Sequence, residues 1–228
     1  MSEGLRERKK RQTRQRISDV AIGLFVERGF DHVTIAEVAA AADVSVNTLY
    51  NYYEAKEDLV LPPDQASPRR LADIVRDRRP GESAARAVLD HLRDELRRRD
   101  RKVGLTAGFG RVFSMMRAAP TLTARLEDLG RQMTEALAHV LAEETAAAPD
   151  DQTPRLVASQ IGWFHALLYS EIGRRIEVGE KPDEIADAAL ELLDLVEEML
   201  GERTLGYATR KDTGKGKGKG KGKGKDAG

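Results

Sequence analysis

The 228-residue chain contains no cysteine, and aromatic residues make up only 5% of it. The lack of cysteine excludes disulfides, thiolate zinc sites, iron–sulfur clusters and a cysteine nucleophile. No run of about 18 apolar residues occurs, and the polar, basic first 20 residues contain no apolar segment of the kind found in signal peptides. We therefore expect a cytoplasmic protein with neither a membrane span nor a secretory signal.

The charged residues balance overall but are unevenly distributed. Lysine plus arginine and aspartate plus glutamate both number 38. Residues 1–16 nevertheless carry seven basic and two acidic side chains, and residues 203–228 carry nine and two, so the body of the chain is acidic. Two basic ends on an acidic body are typical of a protein whose extremities contact a polyanion. Solvated charge without a partner is the alternative interpretation.

Apolar residues recur at helical spacing through most of the chain, and no long segment alternates with the period of a strand. The first predicted helix runs from about Arg8 to Arg28 and ends at Gly29. Three short elements follow before residue 64. Prolines then separate five further predicted helices, over residues 82–99, 104–118, 121–147, 153–177 and 182–200. The pattern predicts an all-α fold.

The chain ends in six consecutive Gly-Lys dipeptides, from Gly214 to Lys225, which cannot bury a core. Four regions are predicted: a basic arm (1–15), a small helical domain (16–60), a larger helical domain (61–201) and a disordered tail (202–228). The tail would raise non-specific DNA affinity through counterion release, or it would have no role beyond solubility.

Residues 34–53 predict two short helices joined by a tight turn. Thr34 and Glu37 have the spacing of a capping box, and Ser45 is a second N-cap. Small residues before the turn allow the two helices to meet steeply. The second helix presents many hydrogen-bonding side chains, which suits either a plain surface helix or a helix that reads a DNA groove.

Residues from about Arg16 to Val60 contain the motif GF-x3-T-IAEVA-x4-VS-x2-TLYNYY-x2-KEDLV. This segment resembles the N-terminal DNA-binding domain of the tetracycline-repressor (TetR) family of bacterial transcription regulators. The chain departs from the common pattern at Asp43, where glycine is frequent, and at Tyr53, where phenylalanine is frequent. The resemblance implies an all-α homodimer with an N-terminal three-helix helix-turn-helix domain and a larger C-terminal helical domain for ligand binding and dimerisation.

The resemblance also implies roles for individual residues in binding double-stranded operator DNA. The residues expected at base edges or the groove rim are Ser45, Val46, Asn47, Thr48 and Asn51. Those expected at phosphates are Thr34, Tyr50, Tyr52 and Lys56. The basic arm would follow the backbone or enter the minor groove. Two alternatives stay open, in which Thr34 is only a helix cap and Lys56 only pairs with Glu57 or Asp58.

The larger domain is expected to bind a small-molecule effector and to dimerise. Bulky, adaptable side chains among its helices suggest an apolar cavity lined by Phe109, Phe113, Met116, Trp163 and Leu167. Polar anchors would come from His91, Arg111 or His165. A symmetric four-helix interface is expected to use Ile161, Leu168, Ile172, Leu192, Leu193 and Val196. Packing within one chain is the alternative for both sets.

No nucleotide-binding, zinc-protease or hydrolase motif occurs between residues 64 and 200, and no histidine has a partner at helical metal-binding spacing. We expect no enzyme activity, cofactor or metal. The predicted function is that of a homodimeric, sequence-specific transcriptional regulator. We expect a repressor that a small apolar or amphipathic effector releases from a near-palindromic operator. The alternative is a helical ligand carrier or enzyme with only non-specific DNA affinity.

Overall fold

The computed structural model describes residues 4–60, 67–99, 105 and 109–211. Within these ranges the chain forms ten α-helices and one 3-10 turn, with no strand, which confirms the all-α prediction. The helices are α1 (Leu5–Arg28), α2 (Ile35–Ala41), α3 (Val46–Tyr50), α4 (Arg70–Arg76), α5 (Ala84–Arg97), α6 (Phe109–Ala118), α7 (Pro120–Thr145), α8 (Thr153–Glu177), α9 (Pro182–Met199) and α10 (Glu202–Leu205). The 3-10 turn is Glu57–Leu59.

Local sequence signals set most of the helix ends. Gly29 ends α1 with a φ of 87°, and its backbone N–H donates to the Phe25 carbonyl. Prolines occupy the first turn of α7, α8 and α9, where a missing N–H costs nothing. Helix α1 begins at Leu5, so most of the segment predicted as a separate arm continues the first helix of the domain.

The buried side chains form two hydrophobic clusters. The N-terminal cluster joins α1, α2, α3 and the 3-10 turn, and it includes Ile17, Phe25 and Leu49. The C-terminal cluster joins α4, α5, α7, α8 and α9. Helix α6 and the start of α7 belong to the N-terminal cluster, to which they contribute Met115 and Leu122 among others. The core of the N-terminal region is therefore completed by residues far along the chain.

The predicted tail begins too early, because residues 202–211 are part of the folded body. Thr204 is buried in α10, and Leu205 and Tyr207 pack against the C-terminal cluster. Gly81 N–H donates to the Arg210 carbonyl over 2.8 Å, which fastens this segment to the loop before α5. This segment is ordered because Leu205 and Tyr207 bury apolar surface against the C-terminal cluster. The Gly-Lys dipeptides lie outside the described residues.

None of the helices in the described ranges is long and apolar enough to cross a membrane.

Candidate nucleic-acid interface

Helix α2 begins with the capping box that the sequence predicts. The Thr34 hydroxyl accepts from the Glu37 N–H at 3.2 Å, and the Thr34 N–H donates to the Glu37 carboxylate at 2.7 Å. The bond from the Thr34 backbone, followed by that from its hydroxyl, lowers the pKa of Glu37 below its usual value. The two residues thus satisfy donors that the start of a helix would otherwise leave unpaired.

The turn between α2 and α3 depends on Asp43. This residue has a φ of 52°, in the left-handed region that glycine occupies most readily. Aspartate tolerates that region better than most residues. The next N–H, that of Val44, donates to the Ala39 carbonyl at 3.0 Å and closes the end of α2. The departure from the common glycine therefore leaves the turn intact.

Helix α3 turns a largely polar face to solvent and is held by one apolar residue. Ser45 caps it, since its hydroxyl accepts from the Thr48 N–H at 3.0 Å. Leu49 is fully buried in the N-terminal cluster. The exposed residues of the segment are Ser45, Val46, Asn47, Tyr50 and Asn51, while Thr48 is half-buried. The residues predicted to meet base edges therefore lie together on one short helix with its outer face open.

Tyr53 and Lys56 brace the domain from inside. Tyr53 is buried, its hydroxyl donates to the Arg14 carbonyl at 2.7 Å, and the Arg14 guanidinium lies 5.1 Å from the centre of its ring. The Lys56 ammonium donates to the Phe30 carbonyl and lies 4.3 Å from the centre of the Phe30 ring. Lys56 therefore pairs with neither of the acidic residues considered for it, and it retains two N–H groups for another partner.

The remaining predicted phosphate contacts lie at the edges of α2 and α3. Thr34 is an exposed helix cap, and Tyr52 is half-buried beside the N-terminal cluster. Tyr50 is 52% exposed. The first half of α1 carries the basic side chains of the predicted arm on an exposed, continuous helix, namely Arg6, Arg8, Lys9, Lys10, Arg11 and Arg14. Only Arg14 among them is half-buried.

The predicted dimer-contact residues are wrong in five of six cases, because their side chains are already buried inside one chain. These five residues of the C-terminal cluster are Ile161, Leu168, Ile172, Leu193 and Val196. Leu192 is half-buried. The same two helices nevertheless expose other large apolar side chains, namely Leu156, Trp163, Leu195 and Met199. Helical spacing identified the two helices correctly. It could not show that the predicted residues face the core of their own chain and not a second copy.

The predicted ligand-binding residues lie on α6 and α8, and their contacts can be described one by one. Phe113 packs against Gly173 of α8, and Met116 belongs to the N-terminal cluster. Trp163 is 51% exposed, and Leu167 packs against the C-terminal cluster. Phe109 begins α6, and its side chain lies outside the described part of the chain. These contacts do not test whether the five residues line one cavity, so the ligand-binding set stays a prediction.

Two polar contacts that the sequence does not predict join residues that are distant along the chain. Arg125 of α7 pairs with Asp58 of the 3-10 turn at 3.0 Å and so ties the C-terminal region to the N-terminal one. Arg70 of α4 pairs with Glu95 of α5 at 2.7 Å, with both side chains buried. No local spacing signals either pair, since such contacts arise only when helices pack.

Comparisons with known proteins agree with the geometry of the N-terminal region. Residues 17–61 match the sequence model of the bacterial regulatory proteins of the tetR family. The chain is 29% identical over 165 residues to the HTH-type transcriptional regulator TcmR of Streptomyces glaucescens, covering 68% of this chain and 71% of that protein.

Solved structures that resemble the chain include two of similar length. One is native NalD of Pseudomonas aeruginosa, described as the secondary repressor of the MexAB-OprM multidrug efflux pump, with 19% identity and a TM-score of 0.48 over 81% of this chain and 96% of that one. The other is GusR of Salmonella enterica, with 17% identity and a TM-score of 0.49 over 82% and 93%. Residues 17–61, which contain the capped helix pair, are thus similar to the helix-turn-helix domain of the TetR family of bacterial regulatory proteins, and the longer match is to a transcriptional regulator of the helix-turn-helix type.

Proposed function

We propose that the chain is a homodimeric repressor that binds a near-palindromic operator through α3 and releases it when a small effector binds. The observation that carries the proposal is the outer face of α3, whose polar side chains are exposed while Leu49 alone anchors the helix in the core. A short helix that buries so little of its surface against the domain is free to enter the major groove.

Specific contacts follow from the chemistry of the exposed side chains. Asn47 and Asn51 can each make the paired hydrogen bonds that recognise adenine, and Val46 can contact a thymine methyl group. Tyr50 and the two free N–H groups of Lys56 are proposed to bind phosphates, which position the helix without reading sequence. The basic first half of α1 adds attraction that falls as salt rises.

The exposed apolar residues of α8 and α9 support the homodimer. Leu156 and Trp163 are seven residues apart on α8, and Leu195 and Met199 are four apart on α9, so each pair lies on one side of its helix. A two-fold axis beside these helices would bury both pairs in a four-helix arrangement. Two reading helices related by such an axis would engage half-sites about one DNA turn, or 34 Å, apart.

Release by an effector requires a path from the C-terminal domain to α3, and α6 supplies one. On one side, α6 packs its Phe113 ring against Gly173 of α8. On the other side, its Met115 and Met116 lie in the N-terminal cluster. The ion pair between Arg125 and Asp58 adds a second link. A ligand that shifts α8 against α6 would thus change the separation of the two reading helices.

A fluorescence-anisotropy titration tests the proposal. The protein is titrated against duplexes from the intergenic DNA upstream of its own gene and against a scrambled duplex, over a salt series. We expect selective binding that survives deletion of residues 212–228. Asn51→Ala should weaken binding to the selected duplex on the order of 10-fold, because one paired base contact is lost.

The matched control is Gln152→Ala, which removes an exposed amide from the C-terminal domain and should leave DNA affinity unchanged. Equal affinity for both duplexes, lost with the tail or with salt, would refute sequence-specific regulation through this DNA. That result would favour a carrier or enzyme whose basic ends alone attract DNA.

A further inference from the structure

A buried polar cluster crosses the C-terminal domain where α4, α5 and α8 meet. Glu95 accepts from Arg70 at 2.7 Å with one carboxylate oxygen, and its other oxygen lies 3.4 Å from His91 Nε2. Both members of the Arg70–Glu95 pair are more than nine-tenths buried. Despite its burial, the bonds from His91 and Arg70 lower the pKa of Glu95 to about 2. Glu95 is therefore a satisfied carboxylate at the centre of the cluster.

The α8 side of the cluster is less well satisfied. The rings of His165 and Tyr169 lie 4.9 Å apart, and Tyr169 also interacts with Arg70. Among the described residues, neither His165 Nε2 nor Arg70 Nε has a hydrogen-bond partner, although both atoms are shielded from solvent. Burial, and then the positive charge of Arg70, lower the pKa of His165 to about 4, so its ring is neutral near pH 7. Buried polar atoms without partners are uncommon, which makes two in one cluster informative.

A surface cleft of about 570 Å³ adjoins the cluster between α4 and α5. Arg70 and His91 belong to both the cleft wall and the cluster, and Ile74 and Ala87 supply apolar surface. The His91 side chain is 37% exposed, so this end of the cluster is open to solvent. The cleft therefore offers an approach to Arg70 from outside, with His91 beside it.

We propose that this cluster is the anchor of a binding site for an uncharged organic molecule that carries a hydroxyl or carbonyl oxygen. The Arg70 Nε–H would donate to that oxygen. His165 Nε2 would accept from a hydroxyl or, in its other tautomer, donate to a carbonyl. Each contact would complete an atom that has no partner among the described residues; Arg70 lines the cleft, and the ligand would reach past it to His165 on α8.

The surrounding charges select against ionised ligands at the anchor. The Arg70 charge is already compensated by Glu95, so a ligand carboxylate would meet a like charge at short range. The cleft wall also carries more carboxylates than guanidinium groups, so its net charge repels anions; the carboxylates are Asp73, Asp77, Glu82, Asp90 and Asp94, and the guanidinium groups beside Arg70 are Arg78 and Arg79. A buried cation would meet the Arg70 guanidinium and a histidine that provides only one acceptor atom. A neutral oxygen is the group that fits both unpartnered atoms.

The identification of this ligand as the effector rests on the proposed function, whereas the site itself does not. Arg70 lies in the first turn of α4, the first helix described after the N-terminal domain. His165 lies on α8, the helix against which α6 packs. A molecule bridging Arg70 and His165 would fix the position of α4 against α8, which is the kind of shift that the release step requires.

Four small aromatic probes that share one ring test the chemistry: phenol, toluene, benzoate and benzylamine. The full chain is labelled with ¹³C-histidine, and the imidazole resonances of its four histidines are followed by NMR while each probe is added without DNA. We expect phenol, at concentrations on the order of 10 mM, to shift the His165 resonance and to bind about 10-fold more tightly than toluene. Benzoate and benzylamine should bind no better than toluene.

His165→Leu should bring the phenol and toluene affinities to within about twofold, because the hydrogen bond is lost and the apolar contacts remain. His139→Leu is the matched control, since His139 is an exposed histidine on α7 far from the cluster in sequence and side-chain contacts. Circular dichroism reports whether each variant is folded, and the probe ranking in the unsubstituted protein stands without either variant.

Several outcomes would overturn the proposal. They are the absence of any His165 shift with phenol, equal binding of phenol and toluene, tighter binding of benzoate or benzylamine, or an unchanged phenol preference in folded His165→Leu. The DNA titration described above is run on the same samples without probes. Selective DNA binding with no phenol site would reject only this inference, and a phenol site without selective DNA binding would reject only the regulator.

Discussion

The contact between α6 and α8 leads to a stability prediction at Gly173. A Cβ atom at this position would lie 2.0, 2.5 and 2.9 Å from three atoms of the Phe113 ring. Non-bonded carbon atoms sit about 3.5–4.0 Å apart at their optimal separation, so the ring would have to retreat by roughly 1.5 Å. Retreat is restricted, because the neighbouring Met115 and Met116 are packed into the N-terminal cluster. Gly173→Ala therefore overpacks this contact.

Two effects of opposite sign set the magnitude. Overpacking a buried contact costs about 1–3 kcal/mol. Alanine in place of glycine inside a helix stabilises it by roughly 0.5–1 kcal/mol. Gly130 in α7 isolates the second effect, because a Cβ there would meet nothing within 4 Å. The free energy of unfolding of Gly173→Ala should thus be about 2 kcal/mol lower than that of Gly130→Ala. For a chain of this size, that difference corresponds to roughly 4–8 °C in Tm.

Thermal unfolding followed by circular dichroism at one protein concentration measures the difference, since association would make Tm concentration-dependent. A second variant relieves the clash: Phe113→Leu should recover much of the lost stability in the Gly173→Ala background and destabilise the parent protein. Overpacking at Gly173 is refuted if Gly173→Ala raises Tm as much as Gly130→Ala does, or if Phe113→Leu adds its own loss to that of Gly173→Ala without recovery.

Three further predictions concern pH, capping and association. The folded pKa of His165, about 4, lies below the unfolded value of about 6.5, so the unfolded chain binds more protons at pH values between the two. The free energy of unfolding should therefore fall by about 3 kcal/mol as the pH drops from 6.5 to 4. His165→Leu should flatten this pH dependence, which urea unfolding at a series of pH values measures. Thr34→Ala should cost about 1 kcal/mol in the same assay, and no loss would contradict the capping box. Leu195→Glu should shift the mass measured by light scattering from dimer towards monomer, whereas Val178→Glu, an equally apolar exposed site at the end of α8, should not.

The helix-turn-helix was predictable because its signals are local. The capping box at Thr34 and the cap at Ser45 each connect residues three apart, and both form as expected. The left-handed conformation at Asp43 follows from the turn itself. The residues of the proposed dimer contact could not be predicted in the same way, because Leu193 and Leu195 lie on one helix and only packing decides which of them faces the core.

The sequence by itself determined the helical class, the ends of most helices, the capped helix pair of the DNA-binding domain and the segregation of basic charge to the two ends. Each of these depends on interactions within about one helical turn or on composition. Only the tertiary structure decided that α6 completes the N-terminal core, that residues 202–211 join the folded body, and that Arg70 meets Glu95 beside His165. These features depend on which helix faces cover one another, and burial of that kind is settled by non-local packing of the whole chain.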